Sequence, residues 1–252
     1  FNKKIRNFRL ISEERKLELF KKHGVNFVIN VKFNKRFSKI SAEDFIKKII
    51  YQKVNPQSLS VSNNFKFGRK RKGGVNLLKK FSYKYNYRLL NIEPFKYDRK
   101  IVSSTRIRKS LQIGKINLAN RLLTRTWFIE GLVEKGKRLG RKLGYRTCNI
   151  CIKSYILPKS GIYVVKSLIG NKSKIYNGVA YLGSRPTFKG KNIFLELNIF
   201  GINKNLYNKR LRVYFQKFIR EDKKFKNSEK LISQMNKDVI FAKKGLKTKL
   251  TL

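Results

Sequence analysis

At Leu123 the hydrophobic rhythm of the 252-residue chain changes. Upstream, helix and strand signals alternate. SEERKLELFKK (12–22) predicts a helix opened by Ser12 as its N-cap, and FVINVKF (27–33) alternates like a strand. SAEDFIKKII (41–50) begins with Ser41 and has Asp44 three residues on, a near capping box with the shorter acid. A strand at 58–62, a helix around NLLKKF, an extended YRLLNIEPF (87–95) and helices at SSTRIRKSLQIG (103–114) and KINLANRLL follow. This alternation predicts a parallel α/β sheet. Downstream, TWFIEGLVEKG, TCNICI, GIYVVKSLIG, KIYNGVAYLG, NIFLELNIF and LRVYFQKFI are short β-rich runs punctuated by Gly, Asn, Ser or Pro. Their close spacing predicts an antiparallel barrel or sandwich. A closing helix over 228–246 aligns Leu231, Met235, Val239 and Ile240 on one face. The boundary falls near Thr124 and gives two domains, 1–123 and 124–252.

Charge is the other extreme feature. The chain has 62 Lys+Arg against 14 Asp+Glu, a formal net charge of +48. Nonspecific association with polyanions at low salt is expected from such a field. A dedicated nucleic-acid binder gathers its basic residues on one tail or face, whereas here Lys is spread through every segment. Lys, Asn, Ile, Phe and Tyr are all abundant and all have A/T-rich codons, so nucleotide composition accounts for the basicity as well as a polyanion partner does. At 41% hydrophobic and 13% aromatic residues, the chain is not a disordered one. There is no apolar run of about 18 residues and no signal-peptide pattern, which predicts a soluble, cytoplasmic protein with no membrane partner. Two cysteines and one histidine supply neither a disulfide framework nor a four-ligand zinc site. The sequence opens at Phe1, without Met, so a longer parent chain is expected.

Three places carry candidate chemistry. In KGKRLGRKLGYRTCNI, Gly136, Gly140 and Gly144 let the backbone approach a ligand, and Lys137, Arg138, Arg141 and Lys142 add positive potential for phosphate oxygens. Thr147 and Asn149 are two apart on a predicted strand and point to one side, where a hydroxyl and an amide oxygen can hold Mg²⁺ and a phosphate. The plain alternative is a basic glycine-rich hairpin. Cys148 and Cys151 fall on opposite faces of that strand, which argues against a redox or metal pair. Glu196, in FLELNIF, is the only carboxylate between Glu134 and Glu221. It serves either as a general base or as a solvated strand residue paired with lysine. In VSSTRIRKSL, Ser103, Ser104 and Thr105 lie at a predicted helix N-terminus, with Arg106 and Arg108 behind them. That arrangement suits a phosphate and equally suits an ordinary cap on a basic helix.

Taken in order, these segments resemble the bacterial bifunctional riboflavin kinase/FAD synthetase family. The family's S-S-T-x-I-R, L-L-G-R-P-Y and G-x-V-x-x-G-x-x-x-G-R-x-L-G-F-P-T-A-N-I are matched by SSTRIR (103–108), LLTRTW (122–127) and GLVEKGKRLGRKLGYRTCNI (131–150). YNGVAYLGSRPTF (176–188), FLELNIF and NLYNKRLRVYFQKFIREDKKF continue the resemblance, and SAEDFIKKII and NNFKFGRKRKGGVNLL extend it upstream. It covers nearly the whole chain.

The resemblance implies a six-stranded antiparallel barrel with a terminal helix as a riboflavin kinase over 124–252. It also implies a Rossmann-like FMN adenylyltransferase domain over 1–123 that enters after the family's first βαβ unit. By the same resemblance Glu196 is the base for the riboflavin 5′-hydroxyl, and Thr147 and Asn149 hold Mg²⁺ and phosphates. Gly136, Gly140, Arg141 and Gly144 then cover ATP in the kinase, while Ser103, Ser104, Thr105 and Arg108 grip ATP in the adenylyltransferase. ATP is the co-substrate, riboflavin the substrate and FMN the product. The family's G-x-F-D-G-x-H-x-G-H segment has no counterpart here, and His23 lies in a helix-to-strand connection that does not replace it. The kinase is therefore the activity the residues carry, and adenylyl transfer rests on the family alone. Asn63 and Asn64 stand where the family has acids. Arg146 replaces Pro, Cys148 replaces Ala, and Asn198, Asn205 and Asn208 replace His, Asp and Gly. The readings of a different class are a basic RNA-binding protein on a decayed enzyme scaffold and a flavin-binding pseudoenzyme.

Overall fold

The computed structural model describes residues 7–135, 144–152, 154–170, 173–187 and 190–245. They pack as two compact units, one of 24–102 and one joining 7–23 to 103–245. Packing thus sets 24–102 apart from the rest of the described chain. Helix α1 (Glu13–Lys22) starts where Ser12 predicts, with the Ser12 hydroxyl accepting from the Arg15 N–H at 3.3 Å. Its first turn carries Glu13 and Glu14 and its last Lys21 and Lys22, the polarity the helix dipole favours. Although it opens the chain, α1 belongs to the second unit. Removing its cap in Ser12→Ala is expected to cost about 0.5–2 kcal/mol, read as a lower urea midpoint at unchanged slope.

In the first unit, α2 (Lys35–Ser38) is followed by α3 (Ala42–Asp44), which runs on as a π-helix over Phe45–Val54. The Ser41 hydroxyl accepts from the Asp44 N–H at 3.0 Å and donates to its carboxylate at 3.0 Å, so the shorter acid still closes a local box. Strands β1 (Ser58–Ser62) and β2 (Arg88–Ile92) are parallel, and α4 (Val75–Tyr85) connects them. Ile46, Ile50, Val61, Phe67 and Leu78 form the core between helices and sheet. A short hairpin of β3 (Lys96–Tyr97) and β4 (Lys100–Ile101) ends the unit. FVINVKF departs from expectation. No ladder forms there among the described residues, and Phe27 and Ile29 are 90% and 71% exposed. Alternation supplies a face to bury, but a strand also needs a neighbour to close its backbone hydrogen bonds.

The second unit continues with α5 (Ser104–Gln112) and α6 (Ile116–Leu123) and then a barrel. Its strands are β5 (Phe128–Glu134), β6 (Cys148–Cys151), β7 (Gly161–Ile169), β8 (Ile175–Thr187), β9 (Gly190–Ile199) and β10 (Arg210–Arg220). They close in the order β10-β5-β6-β9-β8-β7, every pair antiparallel, which leaves no free sheet edge. Alternation turns Ile129, Val133, Ile150, Leu195, Leu197, Val213 and Phe215 inward, where all are essentially inaccessible. Trp127 packs on Phe215 at 4.9 Å between ring centroids, and its indole N–H donates to the Leu10 carbonyl at 2.8 Å. Asn120 of α6 accepts from the Trp127 N–H at 2.8 Å and donates to the Phe215 carbonyl at 3.0 Å. These bonds explain why 7–23 and 103–123 pack with the barrel.

The closing helix α7 (Ser228–Gly245) lies against β7 and β8. Its buried positions are Asp238 and Ala242, whereas Ile240 is 55% exposed. The expected apolar stripe is thus corrected at one place: a carboxylate sits on the inner face and Ile240 does not. Among the described residues no helix is long and apolar enough to cross a membrane.

Candidate active site

Asn149 in β6 and Glu196 in β9 are register partners across an antiparallel ladder. Directly opposed residues have Cβ atoms about 4.5–5.5 Å apart and share one face. Because Ile150, Leu195 and Leu197 fill the barrel interior, that face is the outer one. The rung extends in both directions. Glu134 of β5 pairs with Asn149, and Tyr181 of β8 pairs with Glu196, so four strands contribute one polar residue each. Glu196 is half-buried and its Oε1 is shielded from solvent. The Tyr181 hydroxyl donates to the Asp222 carboxylate at 2.8 Å.

Thr147 lies one residue before β6, at the rim of a cleft of about 300 Å³ at the barrel mouth. Val133, Cys148, Leu197 and Ile199 form its apolar base, and Asn203, Lys204 and Asn205 its loop wall. Arg146, which stands where the resemblance expects proline, is held from both sides. Its guanidinium donates to the Asn203 carbonyl at 2.9 Å, and its own carbonyl accepts from the Asn198 amide at 2.8 Å. Two departures from the family pattern, Arg146 and Asn198, thus brace each other. Asn208 adopts a φ of +61°, a left-handed conformation that asparagine tolerates where glycine is usual, and Asn205 accepts from the Tyr207 N–H at 3.0 Å within the same loop. Gly144 turns the chain with a φ of +80°. Gly136, Gly140 and Arg141, with Lys137, Arg138 and Lys142, lie outside the described residues.

The cysteines separate as their spacing predicts. Cys148 pairs in register with Leu197 and Cys151 with Phe194, and neither is in a disulfide. Burial pushes the Cys148 thiol up to about 12, which keeps it protonated and unreactive. At α5, Ser103 is the N-cap, its hydroxyl accepting from the Arg106 N–H at 3.2 Å, and Ser104 and Thr105 are exposed beside it. Arg108 donates from its Nε to the Phe8 carbonyl at 2.8 Å. Sequence reasoning missed Glu134 and Tyr181. Their polar character was visible, but only the register of barrel closure aligns them with Glu196.

No group of three or more His, Cys, Asp or Glu able to cage a metal occurs among the described residues. The donors at the outer rung are oxygens: the Asn149 amide, the Glu196 carboxylate and, at the rim, the Thr147 hydroxyl. Such a set suits Mg²⁺, which keeps several waters and takes one or two protein ligands together with substrate phosphates.

Comparison with known proteins identifies the family. The family model described as riboflavin kinase matches residues 123–246, and that described as FAD synthetase matches residues 1–106. The bifunctional riboflavin kinase/FMN adenylyltransferase of Buchnera aphidicola subsp. Schizaphis graminum is 38% identical over 240 residues, covering 94% of this chain and 76% of the relative. The protein of the same description from Escherichia coli K12 is 31% identical over 235 residues, covering 93% and 75%. Among solved structures, one titled macrolide-efflux protein from Streptococcus pneumoniae superposes with a TM-score of 0.83 at 26% identity, over 93% of this chain and 75% of that one. With identity at this level along nearly its whole length, the chain belongs to the bifunctional riboflavin kinase/FMN adenylyltransferase family.

Proposed function

We propose that the barrel phosphorylates riboflavin, moving the γ-phosphate of ATP to the 5′-hydroxyl to give FMN. The observation that carries this reading is the register pairing with Glu196 of Asn149, two residues along the chain from Thr147 at the rim of the cleft. Phosphoryl transfer asks a protein mainly for positioning and charge neutralisation. Glu196 accepts the hydroxyl proton as the 5′-oxygen attacks phosphorus, and the bond from phosphorus to the bridging oxygen of ADP breaks. Asn149 and Thr147 are the residues to hold Mg²⁺ and the phosphate oxygens. The ion, when bound, neutralises charge on the transferring group. Residues 124–252 are assigned to this kinase and 1–123 to an FMN adenylyltransferase-like domain that uses Ser103, Ser104, Thr105 and Arg108 toward ATP. The cytoplasm is the proposed compartment.

The direct test is ATP-dependent formation of FMN from riboflavin, followed by chromatography with and without Mg²⁺. Activity is expected in the wild type, lost on chelation and restored by Mg²⁺. Asn149→Ala is expected to reduce it by about 10²-fold, the scale of one removed transition-state donor. A wild type that binds riboflavin without turnover would reject the kinase reading.

A further inference from the structure

Six residues back along β5 from Glu134, about 20 Å by strand rise, the same outer face carries a second, unrelated feature. Here α1 and the barrel enclose a cavity of about 230 Å³. Phe128 lies within it, with the guanidinium carbons of Arg125 and Arg212 at 5.6 and 5.0 Å from its ring centroid. Arg15 and Lys22 of α1 complete the basic lining. The acids nearby are already engaged. Glu130 accepts from Arg212 at 2.6 Å and from Arg15 at 3.0 Å, and Glu18 pairs with Arg15. Arg212 also donates to the Tyr214 hydroxyl at 3.2 Å.

Arg125 is left over. Its Nη1 is buried and has no hydrogen-bond partner among the described residues. A buried guanidinium N–H without an acceptor is costly. Burial accordingly lowers the Arg125 pKa from its ordinary value. Four cationic side chains face two carboxylates, both held by Arg15 and Arg212.

We infer that this cavity is an anion site for a phosphate group, with Arg125 as its principal donor and Lys22 on its exposed rim. The planar guanidinium fork matches the paired oxygens of phosphate. A cavity of about 230 Å³ falls below the range of about 300–1,000 Å³ that encloses drug-sized ligands. It therefore takes free phosphate or the phosphate end of a larger molecule, with any flavin or nucleoside left outside.

Calorimetric titration of the full chain with inorganic phosphate at about 0.15 M KCl tests this, because the Debye length of about 8 Å suppresses diffuse association with the basic surface. Saturable one-to-one binding is expected. Arg125→Met is expected to weaken it at least about tenfold, the loss of a charge-assisted bond, and Lys22→Gln by a smaller factor. Lys230→Gln, which removes the same charge from α7, leaves it unchanged. Phosphate is expected to raise the melting temperature of the wild type and not of Arg125→Met. In phosphate-free buffer Arg125→Met melts at or above the wild type, since it removes a part-buried charge whose Nη1 has no acceptor and keeps a long side chain against Phe128. Competition by FMN for the Arg125-dependent binding assigns the site to a phosphomonoester, and no competition assigns it to free phosphate; both support the inference. Non-saturating binding, or wild-type affinity in Arg125→Met, overturns it. The readout is binding, so the result is independent of kinase activity.

Discussion

Glu196→Gln is expected to lower riboflavin phosphorylation by about 10²–10⁴-fold, the range for losing a positioned general base, with little change in thermal stability. The amide keeps the size and shape of the carboxylate, so the rung of Glu134, Asn149, Glu196 and Tyr181 stays in register. What disappears is the only acceptor on Glu196 that can take the 5′-hydroxyl proton. The loss is expected in kcat with a small change in KM, because the proton moves only in the transition state. Retention of activity within about fivefold would place the base elsewhere, with Glu134 the first alternative on the same rung. The comparison with Glu134→Gln is therefore part of the measurement: that variant is expected to keep most of its activity.

The elements legible in the sequence are those whose signals are local. Ser12 and Ser41 cap helices because each hydroxyl reaches an N–H three residues on, and 58–62 forms the expected strand. The barrel was legible as a class, through short runs and turn residues, but not as a register. Asn149 and Glu196 each drew attention as a residue type, while their pairing depends on β6 meeting β9 across an intervening hairpin. Glu134 joins them for the same nonlocal reason. FVINVKF shows the opposite limit: a local pattern that lacks the neighbour needed to make it a strand. Arg125 and Asp238 were passed over because both look like ordinary surface charges in one dimension. Only packing reveals that one has a buried Nη1 without an acceptor and the other is buried with three partner atoms.

Asp238→Ala is expected to be the most destabilising single substitution on α7, costing about 3–5 kcal/mol as a broken buried ion pair. Asp238 is 4% exposed and receives Arg220 in a fork, Nε to Oδ1 at 3.0 Å and Nη2 to Oδ2 at 2.7 Å, with the Gln234 amide donating to Oδ1 at 3.0 Å. Alanine leaves the Arg220 guanidinium, itself 14% exposed, without its carboxylate. The cost belongs to that stranded charge more than to the attraction lost. Replacing both partners, as in Asp238→Leu with Arg220→Met, is accordingly expected to recover most of the loss. Urea unfolding of the two single variants and the double variant separates these contributions. A double variant as unstable as the worse single one would mean that the fork holds α7 on the barrel by geometry and not by charge balance. Kinase activity provides a second readout, because Asn236 of the same helix accepts from the Tyr145 hydroxyl, two residues before Thr147. Loosening α7 in Asp238→Ala is expected to raise the KM for ATP before it lowers kcat, since the turn that presents Thr147 loses one of its anchors while Glu196 remains in its ladder.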